Sequence, residues 1–114
     1  MNTKKTVEKE AQIFERLKRF VQREFAAYYA AKYGVSPAWS EIKVSVNVVN
    51  GGTFAALKYG ACDVAARGES NGPHGSEVNS ALVALAEVFD SKRTEIAREK
   101  MFRLRLDLAK EGAA

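Results

Sequence analysis

The sequence has few of the residues from which catalytic and metal sites are usually built. One histidine and one cysteine occur among 114 residues. A lone His74 excludes a His-His metal site. A lone Cys62 excludes an internal disulfide and any multi-thiolate zinc site. Prolines number two, Pro37 and Pro73, so little of the chain is stiffened or broken by them. No apolar run approaches the roughly 18 residues that a membrane-spanning helix requires. The basic start Met1-Asn2-Thr3-Lys4-Lys5 is followed by residues too polar for the core of a signal peptide, so the expectation is a cytoplasmic protein. No glycine-rich stretch is followed by Lys-Ser/Thr, and no Ser/His/Asp set or paired-carboxylate constellation stands out. These absences predict a non-enzymatic protein that uses no cofactor and no metal.

What the chain has is a clear α+β pattern. Length predicts one domain, residues 1–114, without a linker. A content of 46% hydrophobic and 28% charged residues is that of a globular chain able to bury a core. Ile42, Val44, Val46 and Val48 alternate with Lys43, Ser45 and Asn47, a period of two with β-branched residues on one face. Asn50-Gly51 follows as a hairpin signal, and Tyr59-Gly60 as a weaker one. The pattern predicts a three-stranded antiparallel meander with strands over 42–49, 53–58 and 61–67. With two-residue turns at both sites, Val48 faces Thr53, Val46 faces Ala55 and Val44 faces Leu57. Across the second turn Leu57 faces Cys62, Ala55 faces Val64 and Thr53 faces Ala66. All of these share one face, and a one-residue slip would scatter them. A three-residue Asn50-Gly51-Gly52 loop with a bulge is the competing form of the first turn.

Long amphipathic helices flank the meander. Phe14, Leu17, Val21, Phe25 and Tyr28 recur at steps of three and four within 6–32, with Thr6 as the expected cap. Gly34 is expected in the left-handed conformation, with Val35 folding back on the helix end. Ser36-Pro37-Ala38-Trp39-Ser40 reads as a capped turn whose tryptophan covers the end of the core or anchors an interface. Gly68 to Ser76, which includes His74, reads as a surface loop. Ser76 then caps a second helix over 77–110, whose stripe is Val78, Leu82, Leu85, Phe89 and Ile96. Beyond Ile96 the apolar set moves about a quarter turn to Ala97, Met101, Leu104 and Leu108. That shift predicts either a break near 90–91 or a continuous helix whose far half faces something else. The first and last few residues are expected to be disordered.

Charge is uneven. Residues 1–32 hold eight Lys/Arg against four Glu, and 92–114 hold seven against four; 33–91 hold three against six. Basic ends on a chain of net charge +4 hint at an anionic partner. Two surfaces are candidates. One is the sheet face away from the helices, with Phe54 among Lys43, Lys58 and Arg67. The other is the basic face of the last helix, with Lys92, Arg93, Arg98, Lys100, Arg103 and Arg105. Trp39, Met101, Leu104 and Leu108 are candidate interface residues, because together they exceed what one small sheet needs.

The order helix, three strands, helix is similar in layout to the double-stranded RNA-binding domain. In that family a Gly-Pro-x-His loop lies between the first two strands and a lysine cluster opens the second helix. Here Gly72-Pro73-His74 follows the third strand, and the helix opens Ser76-Glu77-Val78-Asn79-Ser80 without a lysine. The layout is also similar to that of small phage-encoded inhibitors of bacterial defence systems, including anti-CRISPR proteins. That likeness implies a mobile-element inhibitor of a host complex, acting through protein-protein contacts and occupying a nucleic-acid site. The expected function is thus a small binding protein with a protein partner, or a homodimer through overhanging helix ends. The alternative is direct nucleic-acid binding by the basic helix faces.

Overall fold

The computed structural model describes residues 3–69 and 76–113, with elements in the order helix, three strands, helix. Helix α1 spans Thr3–Tyr33, strands β1, β2 and β3 span Lys43–Val49, Gly52–Tyr59 and Cys62–Arg67, and helix α2 spans Glu77–Ala113. The strands form one antiparallel sheet in sequence order. Thus the expected meander and both flanking helices are present. His74 lies outside the described residues.

Pairing across the first turn follows the expected register, with Val48 opposite Thr53, Val46 opposite Ala55 and Val44 opposite Leu57. The turn geometry differs, because neither Asn50 nor Gly51 has a positive φ; that conformation falls on Gly52, at 131°. The second turn is Gly60-Ala61 rather than Tyr59-Gly60. Tyr59 pairs with Cys62, Leu57 with Val64 and Ala55 with Ala66. The partners therefore shift by two residues while the faces stay the same, since the side-chain period is two. The reason lies in Tyr59. Its ring packs 5.3 Å from Phe25 and 5.2 Å from Tyr29, and its hydroxyl accepts the Ala38 N–H at 3.0 Å. Gly60, at φ 56°, takes the first turn position, where a II′ turn wants glycine.

Both helices lie on the same side of the sheet. α2 packs across β2 and β3, and α1 packs mainly along α2. Phe25 and Phe89 meet edge to face at 5.2 Å between Val21, Leu57, Leu82 and Leu85, all fully buried. The close approach of α2 to β2 depends on small residues, Ala55 below and Ala81 and Ala86 above. Two buried hydroxyls are both satisfied at this junction. Thr53 Oγ1 donates to the Glu77 carboxylate at 2.9 Å, and Ser80 Oγ accepts the Glu69 N–H at 2.9 Å. Ser76 caps α2 as expected, its hydroxyl accepting the Asn79 N–H at 3.1 Å.

Several local expectations need correction. α1 starts at Thr3 instead of Thr6. Of the two forms expected for α2, the continuous one is present, and the helix runs without a break through 90–91. Asp90 sits inside that helix, with Arg93 bonded to its carboxylate at 2.7 Å and the Thr94 hydroxyl to its carbonyl at 2.9 Å. The helix reaches Ala113, so residues 112 and 113 are helical where disorder was expected. Gly34 is left-handed at φ 76° and bonds back to Ala30, but Val35 remains exposed. Trp39 opens a short 3-10 turn and is 48% exposed; Pro37, two residues earlier, is buried instead. Cys62 is half-buried and free.

Candidate functional site

α1 and α2 run in the same direction but out of step. Phe25 meets Phe89, Tyr28 meets Lys92, and Ala31 meets Lys100. Since α1 ends at Tyr33, the last sixteen or so residues of α2 extend past it, an overhang of about 24 Å at 1.5 Å per residue, from whose near end Glu99, Lys100 and Arg103 reach back to line a groove with the last turns of α1. The molecule is correspondingly elongated, 74 Å by 30 Å by 29 Å.

Within that overhang, every residue from Ala97 to Gly112 is exposed. Five of them are large and apolar. Met101, Phe102, Leu104, Leu106 and Leu108 are 46–61% exposed. The segment remains helical because it is rich in good helix formers and carries an Arg103–Glu99 pair at 2.6 Å. At about 100° per residue the apolar side chains form two stripes. Ala97, Met101, Leu104 and Leu108 make one, with the four-three-four spacing of a helix-packing seam. Phe102, Leu106 and Ala109 make the other, about 140° around the helix. Arg98 and Arg105 lie between the stripes, and neither has an ion pair or hydrogen bond among the described residues. The face that continues the core direction turns charged, with Lys100, Arg103 and Asp107.

Where the overhang meets the body, a groove of about 440 Å³ opens between the last turns of α1 and the middle of α2. Its lining includes Tyr28, Lys32, Lys92, Glu95, Glu99 and Arg103. The ammonium groups of Lys32 and Lys92 stand 5.8 and 5.7 Å from the centre of the Tyr28 ring. Lys32 also donates to the Tyr28 hydroxyl at 3.3 Å, which holds its pKa above the ordinary value of 10.5. Lys100 donates to the Ala31 carbonyl at 3.1 Å, closing the open end of α1 in the way a helix C-terminus favours.

The sequence-chosen cations do not form one surface. Lys43, Lys58 and Arg67 lie on the sheet face opposite the helices. Lys43 donates to the Ser40 carbonyl at 3.2 Å, Lys58 sits across from Asp63, and the Arg67 guanidinium lies over Gly52. Phe54 is half-buried between Asn47 and Arg67, which leaves a shallow face with one aromatic. On α2, Arg93 is occupied by Asp90 at 2.7 Å and Glu24 at 3.6 Å, and both raise its pKa, the Asp90 hydrogen bond most. The structure brings Lys92, Lys100 and Arg103 together with Lys32 and Tyr28. Sequence reading missed the last two, having assigned Tyr28 to the core and Lys32 to the helix end. Finding them requires knowing that the helices lie parallel. Among the described residues no group of His, Cys, Asp and Glu can hold a metal ion, and no helix is long and apolar enough to cross a membrane. No family model matches the sequence, nor does any curated protein or solved structure.

Proposed function

We propose that the protein is a docking module that holds a protein partner along the overhanging half of α2. The observation that carries this reading is the set of five large apolar side chains left about half exposed on the half of α2 that extends past α1. Contiguous exposed apolar surface of this kind marks interaction sites. A helix laid on one stripe completes the burial of two or three such side chains, at roughly half of 1.5–3 kcal/mol each, which makes about 1.5–4.5 kcal/mol available before the costs of association. The four-three-four spacing suits an amphipathic helix laid alongside. A phage-type inhibitor of a host complex is one form such docking takes. Occupation of that complex's nucleic-acid site fits the charge less well. Such a site is itself cationic, and residues 97–112 carry five Lys/Arg against three Asp/Glu.

The test uses full-length protein as bait, compared with a Leu104→Glu/Leu108→Glu variant and a Phe102→Glu/Leu106→Glu variant, one for each stripe, with and without nuclease. All four side chains are outside the core, so the melting temperatures of the variants should match the parent. The expected result is a discrete nuclease-resistant protein that the parent captures and at least one variant does not, or a change of oligomeric state by light scattering. If both variants keep the captured protein and the oligomeric state of the parent, the docking reading fails. Capture that disappears with nuclease favours direct nucleic-acid binding instead.

A further inference from the structure

We infer that the partner is an acidic amphipathic helix, which lays its apolar side on Phe102 and Leu106 and seats a carboxylate in the groove between α1 and α2. This rests on the docking reading and adds the chemistry of the partner. The stripe of Phe102 and Leu106 lies on the same side of α2 as Glu95 and Glu99, two of the groove's lining residues, so stripe and groove form one continuous surface. Cations fence it along both edges. Arg98 and Arg105 flank it on one side, exposed and without a carboxylate partner. On the other side stand Lys32 and Lys92, whose described contacts are with the Tyr28 and Tyr33 rings and the Tyr28 hydroxyl rather than with an acid. The other two groove cations are already committed, Lys100 to the Ala31 carbonyl and Arg103 to Glu99. Among the described residues Lys32 and Lys92 have no carboxylate partner, and as lining residues of the 440 Å³ groove they are placed to receive one.

The alternatives fit less well. A phosphate backbone following these cations would leave the apolar stripe uncovered. A second copy of this chain would set the Arg98 and Arg105 ridge close to its own equivalent, and like charges across an interface are costly. A helix with Leu or Ile at three-four spacing and Glu at the flanking positions covers the stripe and answers both rows of cations.

The experiment is fluorescence anisotropy on the full chain with three probes. Two are synthetic helical peptides about three heptads long with the same leucine seam, one flanked by Glu and the other by Lys; the third is a short DNA duplex. The Glu-flanked peptide is expected to bind on the order of tenfold tighter than the Lys-flanked one at low salt, the size a few rim ion pairs supply. The gap should close as salt rises. Lys32→Glu/Lys92→Glu should remove or invert the preference. Phe102→Glu/Leu106→Glu should weaken both peptides. Equal binding of the two peptides, an unaltered preference in the lysine variant, or tighter binding of the duplex overturns the acidic partner and leaves apolar docking standing. If neither peptide binds, or if the Phe102/Leu106 variant binds them unchanged, both the acidic partner and docking on this stripe fall.

Discussion

Gly68 is expected to be among the least replaceable residues of the chain, although nothing about its backbone conformation requires glycine. Among the described residues the left-handed glycines are Gly34, Gly52 and Gly60. At Gly68 the constraint is space. A Cβ there would overlap the Glu77 carbonyl oxygen, and it would lie 3.0 Å from the Ala81 nitrogen and 3.1 Å from the Ala81 Cβ. The obstacles are the backbone of the first turns of α2, which cannot turn away as a flexible side chain can. That turn is also fastened in place. The Gly68 N–H donates to the Thr53 carbonyl at 2.8 Å, and the Thr53 hydroxyl and Ser80 hydroxyl bond across the same junction. Gly68→Ala therefore has to lift α2 from the end of β3 or distort the strand. Overpacking of this kind costs about 3 kcal/mol, the upper part of its usual range. For a chain of 114 residues that corresponds to a fall in melting temperature of roughly 10–15 °C. Thermal unfolding followed by far-ultraviolet circular dichroism reads it directly. Gly51→Ala is the control, since nothing lies within 4 Å of its added Cβ and its φ is not left-handed; it should shift stability by no more than about 0.5 kcal/mol. If Gly68→Ala loses less than about 1 kcal/mol, the junction is looser than described and the packing argument is wrong.

Phe89→Ala should cost about 3–5 kcal/mol, because the ring is fully buried against Phe25; Phe102→Ala, on the overhang, should stay within about 0.5 kcal/mol, and equal losses in the two variants would contradict the placement of the core. Ser80→Ala leaves the Glu69 N–H without its acceptor and should lower stability by about 1 kcal/mol in urea titration with the m-value unchanged. Alkaline pH acts through Tyr29 and Lys32. Burial, reinforced by Tyr59, raises the Tyr29 pKa above its ordinary 10.0, and the Tyr28 hydrogen bond raises that of Lys32 above 10.5. A raised folded-state pKa means stability that is fully present below the ordinary value and is lost as pH rises through the folded value. The melting temperature should therefore decline above about pH 10, and less steeply in Tyr29→Phe; parallel declines would remove Tyr29 as a cause.

Most of the architecture was legible because period and turn chemistry agreed. The alternation from Ile42 to Val48 and the stripe from Phe14 to Tyr28 each specify an element without help from tertiary contacts. The second turn was misread by one residue since local turn preference was weighed alone. The packing of Tyr59 on Phe25 and Tyr29, invisible in the sequence, decides it. Of the two forms the sequence left open for α2, the continuous helix is present and the break at Asp90-Ser91 is not. A cap signal inside a strong helical stretch is outweighed by continued propensity and by Arg93 holding Asp90 within the helix. The apolar shift after Ile96 was visible, and beyond it every residue to Gly112 is exposed. The groove was not visible, because it joins Lys32 to Lys92 and so depends on the direction in which two distant helices lie.

The parallel pairing of α1 and α2 also bears on how the chain comes to be folded. Phe25 meets Phe89 and Tyr28 meets Lys92, partners 64 positions apart in both cases. The hairpins need only neighbouring residues, but the apolar face of α1 has no helix to cover it until the first half of α2 exists. During synthesis at about 5–20 residues per second, that face waits roughly 3–13 s. Contacts of such sequence separation are the slow ones in folding, so the interval before α2 arrives is when α1 is most exposed to chaperones, to proteases and to other nascent chains.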